Sequence, residues 1–151
     1  MKGISREESK TMLQGVMDMG QASGVDINYN VVKNANTKDA HRVLQYAKEL
    51  GKDSEYFERL YKAHFSEGQV ISDRETIISL AGDVGIDSTK VVKVLDSNEY
   101  DENVNQDVYE SRLAGVSSVP FFVFDNKYSV SGAQPVELFS EILDKVWEEE
   151  M

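Results

Sequence analysis

His41 and His64 are the only imidazoles in the chain, and no cysteine accompanies them. That scarcity bounds the chemistry. Without cysteine there is no thiolate nucleophile, structural disulfide or thiolate metal site within these residues. Two histidines are too few for a His-rich metal centre. Residues 96–101, DSNEYD, faintly resemble a calcium loop, but they lack its sixth-position glycine and its ordered ligands. No metal and no cofactor are therefore expected. The remaining candidate is a feature of the backbone. Val119–Pro120 opens the apolar run Phe121-Phe122-Val123-Phe124 in a chain with only two prolines. Proline donates nothing to a sheet ladder and belongs at a strand's start or edge. Taken alone, the step reads either as a trans proline that opens a strand or as a cis proline in a tight turn.

The elements around these residues follow from periodicity and caps. Ser5-Arg6-Glu7-Glu8 is a capping box, and Met12, Val16 and Met19 then give one apolar helix face, expected to pack into a core. Residues 25–32, VDINYNVV, alternate well enough to predict a short strand. Thr37 precedes a helix with Ala40, Val43, Leu44, Ala47 and Leu50 on one stripe. Ser54 opens another, with Phe57, Leu60, Tyr61, His64 and Phe65 expected on its buried side. Ser72-Asp73-Arg74-Glu75 is a second capping box, ahead of Ile77, Ile78 and Ala81. Asp87 or Ser88 caps a short helix with Val91, Val92 and Leu95. Residues 98–114 predict a long polar helix with a narrow stripe of Tyr100, Val104 and Val108, ended by Gly115.

The pattern then changes. Phe121 and Val123 face one way and Phe122 and Phe124 the other, which predicts a central strand covered on both faces. Asp125-Asn126-Lys127 is turn chemistry, and Tyr128–Ser131 alternates as the second strand of a hairpin. Pro135 suits the first position of a last helix, whose buried stripe would be Val136, Phe139, Ile142, Leu143 and Val146. Glu148–Glu150 would be a solvated tail. No boundary or linker stands out over residues 1–151, which read as one unit.

Gly115–Phe124, the hairpin and the last helix resemble the second half of a thioredoxin fold. Asn36-Thr37-Lys38-Asp39-Ala40-His41-Arg42 and Ser131-Gly132-Ala133-Gln134-Pro135 resemble signatures of DsbA-like oxidoreductases of the FrnE type. That family is grouped with 2-hydroxychromene-2-carboxylate isomerases and kappa-class glutathione transferases. The resemblance covers essentially the whole chain, including Phe65–Gly68 and Ser72–Arg74. It implies an α/β architecture: a partial thioredoxin-like fold with a helical insertion over residues 37–114 and the thioredoxin half over residues 115–151. It also implies a cis Val119–Pro120 bond beside the redox centre, with Val119 offering its backbone to an extended substrate as an added strand.

The family's Cys-x-x-Cys unit has no counterpart here, so the chain is expected to be a fragment or truncated form, inactive by itself. His41 reads either as a polar group near the substrate cleft, where titration near neutrality could tune a thiolate, or as a helix-start residue bonded to backbone. His64 reads as a satisfied, semi-buried core histidine. Three functions compete. One is a part of a thiol–disulfide oxidoreductase. Another is a glutathione-dependent isomerase-like protein, the one case with a cofactor. The third is a redox-silent binding module.

The expected partners are an extended peptide or protein substrate and a second copy of the chain through Phe121–Phe124. A formal net charge of −11 repels phosphate backbones and anionic lipid, so nucleic acid and membranes are not expected partners. The opening MKGISREESK has no signal-peptide apolar run, and the resemblance suggests the cytoplasm.

Overall fold

The computed structural model describes residues 5–151. Two compact units divide it, Met1–Val104 and Asn105–Met151. The division falls inside a helix, where nothing in the composition marks it.

In the first unit, α1 (Arg6–Ala22) begins at the expected capping box. The Ser5 hydroxyl accepts from the Glu8 N–H at 3.2 Å, and the Glu8 carboxylate accepts from the Ser5 N–H at 2.8 Å. The expectation of a packed stripe fails. Met12 and Met19 are 61% and 69% exposed, and Gly20 is the helix's one buried residue. Periodicity shows which face of a helix is apolar, but it supplies no element to cover that face.

The strand predicted over residues 25–32 does not form either. A single strand with no neighbour leaves its backbone groups unsatisfied, and local bonds satisfy them instead. The Asn28 side chain accepts from the Asn30 N–H, and Val31 N–H donates to the Asn28 carbonyl. Asn28 N–H donates to the Phe65 carbonyl, and the Ser66 hydroxyl to that of Asp26. The segment is thus a turn strapped to the end of the third helix.

The core lies among α2 (Lys38–Glu49), α3 (Asp53–Phe65), α4 (Arg74–Asp83) and α5 (Ser88–Asp96). Val43, Ala47, Tyr56, Ile77, Leu80 and Val91 are fully buried there. Asp73 caps α4 by accepting from the Thr76 N–H at 2.9 Å, one residue later than the predicted Ser72 cap. Asp87 caps α5. Both carboxyls are held below the usual range by the backbone N–H groups they cap, those of Thr76 and Thr89. Thr37 does stand at the start of α2, but its side chain makes no capping bond. The Asn36 side chain accepts from the Lys38 N–H instead.

The predicted long helix starts late, as α6 (Asp101–Leu113). Tyr100 precedes it in a left-handed conformation, φ 65°. The Tyr100 hydroxyl donates to Glu49 at 2.8 Å. Burial, then that carboxylate, push its pKa up to about 12.

In the second unit, β1 (Phe121–Phe124) pairs antiparallel with β2 (Tyr128–Ser131), Phe121 opposite Ser131 and Phe124 opposite Tyr128. Among the described residues these two strands make up the sheet. The central-strand expectation is therefore corrected. Among the described residues the apolar run has a strand on one edge only, and Phe122 and Val123 remain exposed. α7 (Val136–Glu150) starts after Pro135, which is its N-cap rather than its first residue. Phe139 anchors it, with its ring 4.9 Å from that of Phe122 in an edge-on arrangement. The stripe predicted for α7 is only partly covered, since Val136 and Leu143 are exposed. Its last turn is no free tail: the Tyr128 hydroxyl donates to Glu149.

Candidate functional site

The expected site residues divide between the two units, His41 in the first and Val119 and Pro120 in the second. Each surface is built by its own unit.

His41 lies one turn into α2, where its N–H donates to the Thr37 carbonyl at 3.0 Å. The imidazole is exposed. The ring stands on the wall of a cavity of about 320 Å³ between α2 and α3, together with Leu44, Phe57, Tyr61, His64 and Phe65.

α3 carries two stripes. Tyr56, Leu60 and Ala63 face the core, as i, i+4, i+7 spacing allows. Phe57, Tyr61 and Phe65 lie one step round the helix and line the cavity, and Phe57 is 53% exposed. The expectation that Phe57 is buried fails, because the core-facing stripe of α3 runs through its neighbour Tyr56. Tyr61 and Phe65 pack with ring centroids 4.5 Å apart, and His64 stands edge-on to Phe65 at 4.7 Å. His64 Nδ1 is buried with no partner, so this histidine is semi-buried but not satisfied. The cavity can accept an apolar or aromatic side chain. A larger depression of about 460 Å³ beside α1 has a mixed wall, in which Met17, Val25 and Ile27 alternate with Gln14, Asp18 and Asn28.

Sequence reasoning missed Arg42. It is 5% exposed, and its guanidinium donates to the carbonyls of Val94, Ser97 and Glu99. Asp39 and Asp101 balance its charge, each at 2.9 Å. An Asp three residues before an Arg in the first turn of α2 was the available signal.

In the second unit the Val119–Pro120 peptide is cis. Val119 is 84% exposed, and among the described residues nothing bonds to its N–H or its carbonyl. The Pro120 carbonyl accepts from the Gly132 N–H at 2.8 Å, which closes the hairpin beside it. Gly132 takes φ +81° there, a conformation that glycine adopts readily. The Ser118 and Ser131 hydroxyls meet at 3.1 Å, and the Gln134 side-chain amide donates to the Ser131 carbonyl. The segment 131–135 thus shapes the hairpin exit and fixes the loop that presents Val119. Among the described residues there is no cluster of side chains suited to hold a metal ion.

A proline at the mouth of a hairpin, a last helix against that hairpin and a separate helical body together define a thioredoxin-like protein with a helical insertion. The DSBA-like thioredoxin domain family matches residues 1–144, and the chain belongs to that family. It is 30% identical over 132 residues to the uncharacterized protein YwbO of Bacillus subtilis (strain 168), covering 85% of this chain and 64% of that protein. The crystal structure of probable DsbA oxidoreductase SCO1869 from Streptomyces coelicolor superposes with a TM-score of 0.90 at 32% identity, over 97% of this chain and 64% of that one. A second solved structure, from Nitrosomonas europaea, shares the fold with a TM-score of 0.75 at 16% identity, over 98% of this chain and 78% of that one. The chain thus spans 64% of the length of the first two relatives. No described helix is long and apolar enough to cross a membrane.

Proposed function

We propose that this chain supplies the polypeptide-recognising surface of a DsbA-type disulfide exchange, of the FrnE type, and carries out no thiol chemistry with its own side chains. One observation carries the reading. A chain of this family without a cysteine presents an exposed Val119 backbone just before a cis proline. Thiol–disulfide exchange requires a thiolate to attack a disulfide sulfur. The exchange itself therefore belongs to a Cys-x-x-Cys unit that these residues do not contain.

What the residues can do is bind. The N–H and C=O of Val119 are free to pair with an extended polypeptide as an added strand. Pro120 has no N–H to compete for that polypeptide. The FrnE resemblance supports a cytoplasmic setting for this role.

The test has two parts. Titration of the isotopically labelled chain with an extended apolar peptide is expected to shift the Val119 and Phe121 amides, and an insulin-reduction assay is expected to show no catalysis. Unshifted Val119 and Phe121 amides at saturating peptide would remove the recognition role. Accelerated insulin reduction by the cysteine-free chain would remove the thiol-silent one.

A further inference from the structure

We infer that the cavity between α2 and α3 is a binding site for a small neutral phenol, held by an aromatic wall and by hydrogen bonding to the imidazoles of His41 and His64. The inference is independent of peptide recognition at Val119.

The cavity is a recess in the helical unit, not a bare face. Its lining falls entirely between Thr37 and Ile71, inside the first unit. Three of the lining residues, Ala40, Leu60 and Ile71, belong to the buried core. The volume of about 320 Å³ stands at the small end of the range for ligand pockets, roughly 300–1,000 Å³. That size suits a single-ring molecule.

Topology orders the lining. Only Leu50, Gly51 and Lys52 separate α2 from α3, and a connection this short makes packed helices antiparallel. The start of α2 therefore lies level with the end of α3. Thr37 and His41 come beside Tyr61 and His64 at one end, and Leu44 comes beside Phe57 at the other. The first end is polar and the second apolar.

The wall suits an aromatic ring. Phe57, Tyr61 and Phe65 follow one another along α3, with successive ring centroids 6.5 and 4.5 Å apart. Such rings receive another ring edge-on or offset, with a gain beyond the area buried. The polar end suits a group that both donates and accepts. A neutral imidazole has one nitrogen of each kind, so a hydroxyl serves either tautomer. The fold itself leaves the His64 ring incompletely bonded, since its Nδ1 has no partner. The Thr37 hydroxyl, unused as a cap, adds a further polar group at this end. A carboxylate fits less well. Among the described residues no lysine or arginine lines the cavity, and the chain's net charge of −11 repels anions.

The experiment is NMR titration of the isotopically labelled chain with p-cresol, toluene and 4-methylbenzoate, which share one methylated ring. p-Cresol is expected to shift the resonances of His41, Leu44, Phe57 and Tyr61 along one saturable curve. Toluene is expected to bind about fivefold more weakly for want of the hydrogen bond, and 4-methylbenzoate to bind more weakly than p-cresol. Leu44→Trp fills the apolar end and is expected to abolish binding. Should that variant misfold, the pair His41→Leu and His64→Leu is expected to bind toluene as before and p-cresol no more tightly than toluene. Retained toluene binding shows that the cavity of that variant is intact. Absence of a saturable shift at the four named residues overturns the inference. So do equal affinities for p-cresol and toluene, a preference for 4-methylbenzoate, or a p-cresol preference that survives loss of both imidazoles. Shifts confined to Met17 and Ile27, in the depression beside α1, overturn it as well.

Discussion

The guanidinium of Arg42 lies 2.9 Å from the carboxylate of Asp101, so a buried cation on α2 is held by the first residue of α6. The same side chain satisfies carbonyls of Val94, Ser97 and Glu99. Removing the guanidinium leaves those carbonyls without their donor, a loss of about 1–3 kcal/mol. Arg42→Met is expected to lose stability on that scale in urea unfolding. Arg42→Lys is expected to recover little of it, since an ammonium cannot reproduce the planar fork.

Acid should weaken the helical unit through identifiable groups. Hydrogen bonding to Lys38 holds the Asp101 carboxyl below its usual range, as capping does for Asp73 and Asp87. A carboxyl with a depressed folded-state pKa contributes stability that is fully present above its unfolded value. That contribution is lost as pH falls through the folded value. Unfolding midpoints are therefore expected to hold steady down to about pH 5 and to fall below about pH 4. In the triple variant Asp73→Asn, Asp87→Asn and Asp101→Asn, the slope of that acid limb should shrink. An unchanged slope would show that other carboxyls control it.

Tyr56 is completely buried, and its hydroxyl has no partner. Burial alone drives its pKa upward. An unsatisfied buried hydroxyl is a penalty that the isosteric apolar ring avoids. Tyr56→Phe is expected to raise stability by about 1 kcal/mol in chemical denaturation. A loss of similar size would show that the hydroxyl has a hydrogen-bond partner in solution.

Gly68 ties the turn at residues 25–32 to the end of α3. Its φ is +65°, and a Cβ there would stand 2.8 Å from the Val31 carbonyl oxygen. Both strain and collision oppose a side chain. Gly68→Ala is expected to cost roughly 1–3 kcal/mol and to speed hydrogen exchange at the Asn28 amide.

Phe139 is the one α7 ring in contact with both Phe122 and Phe124. The contact is half open to solvent, so Phe139→Ala should cost about 2 kcal/mol, below the range for a fully buried ring. The loss is expected in the second unit, as faster exchange along β1 and β2.

Much of this architecture was legible in the sequence because caps and turns are local. Ser5 with Glu8, Asp87, Gly115 and the Asp125–Lys127 turn depend on neighbours a few residues away. What failed depended on distant partners. Residues 25–32 alternate like a strand, but alternation supplies no second strand. Phe121–Phe124 is apolar on both faces, yet its burial depends on elements its own pattern does not encode. Arg42 looks like a surface residue until helix ends some fifty residues along the chain bring carbonyls to it. Of the candidate site, Val119, Pro120 and His41 are proposed from motif. The aromatic wall of the cavity was assigned to the core, because two stripes on α3 overlap in the same periodic pattern.

The exposed face of α1 has a consequence for how oxidants would act on the chain. With no cysteine among its residues, all of its sulfur is in five methionines, and Met12 and Met19 stand open on that face. Peroxide converts an exposed thioether into a polar, chiral sulfoxide. Oxidation would therefore interrupt the apolar stripe of α1 on either side of Val16 without touching the core: a protein of a thioredoxin-like family has its own oxidisable sulfur on a helix surface, remote in sequence from its cis proline.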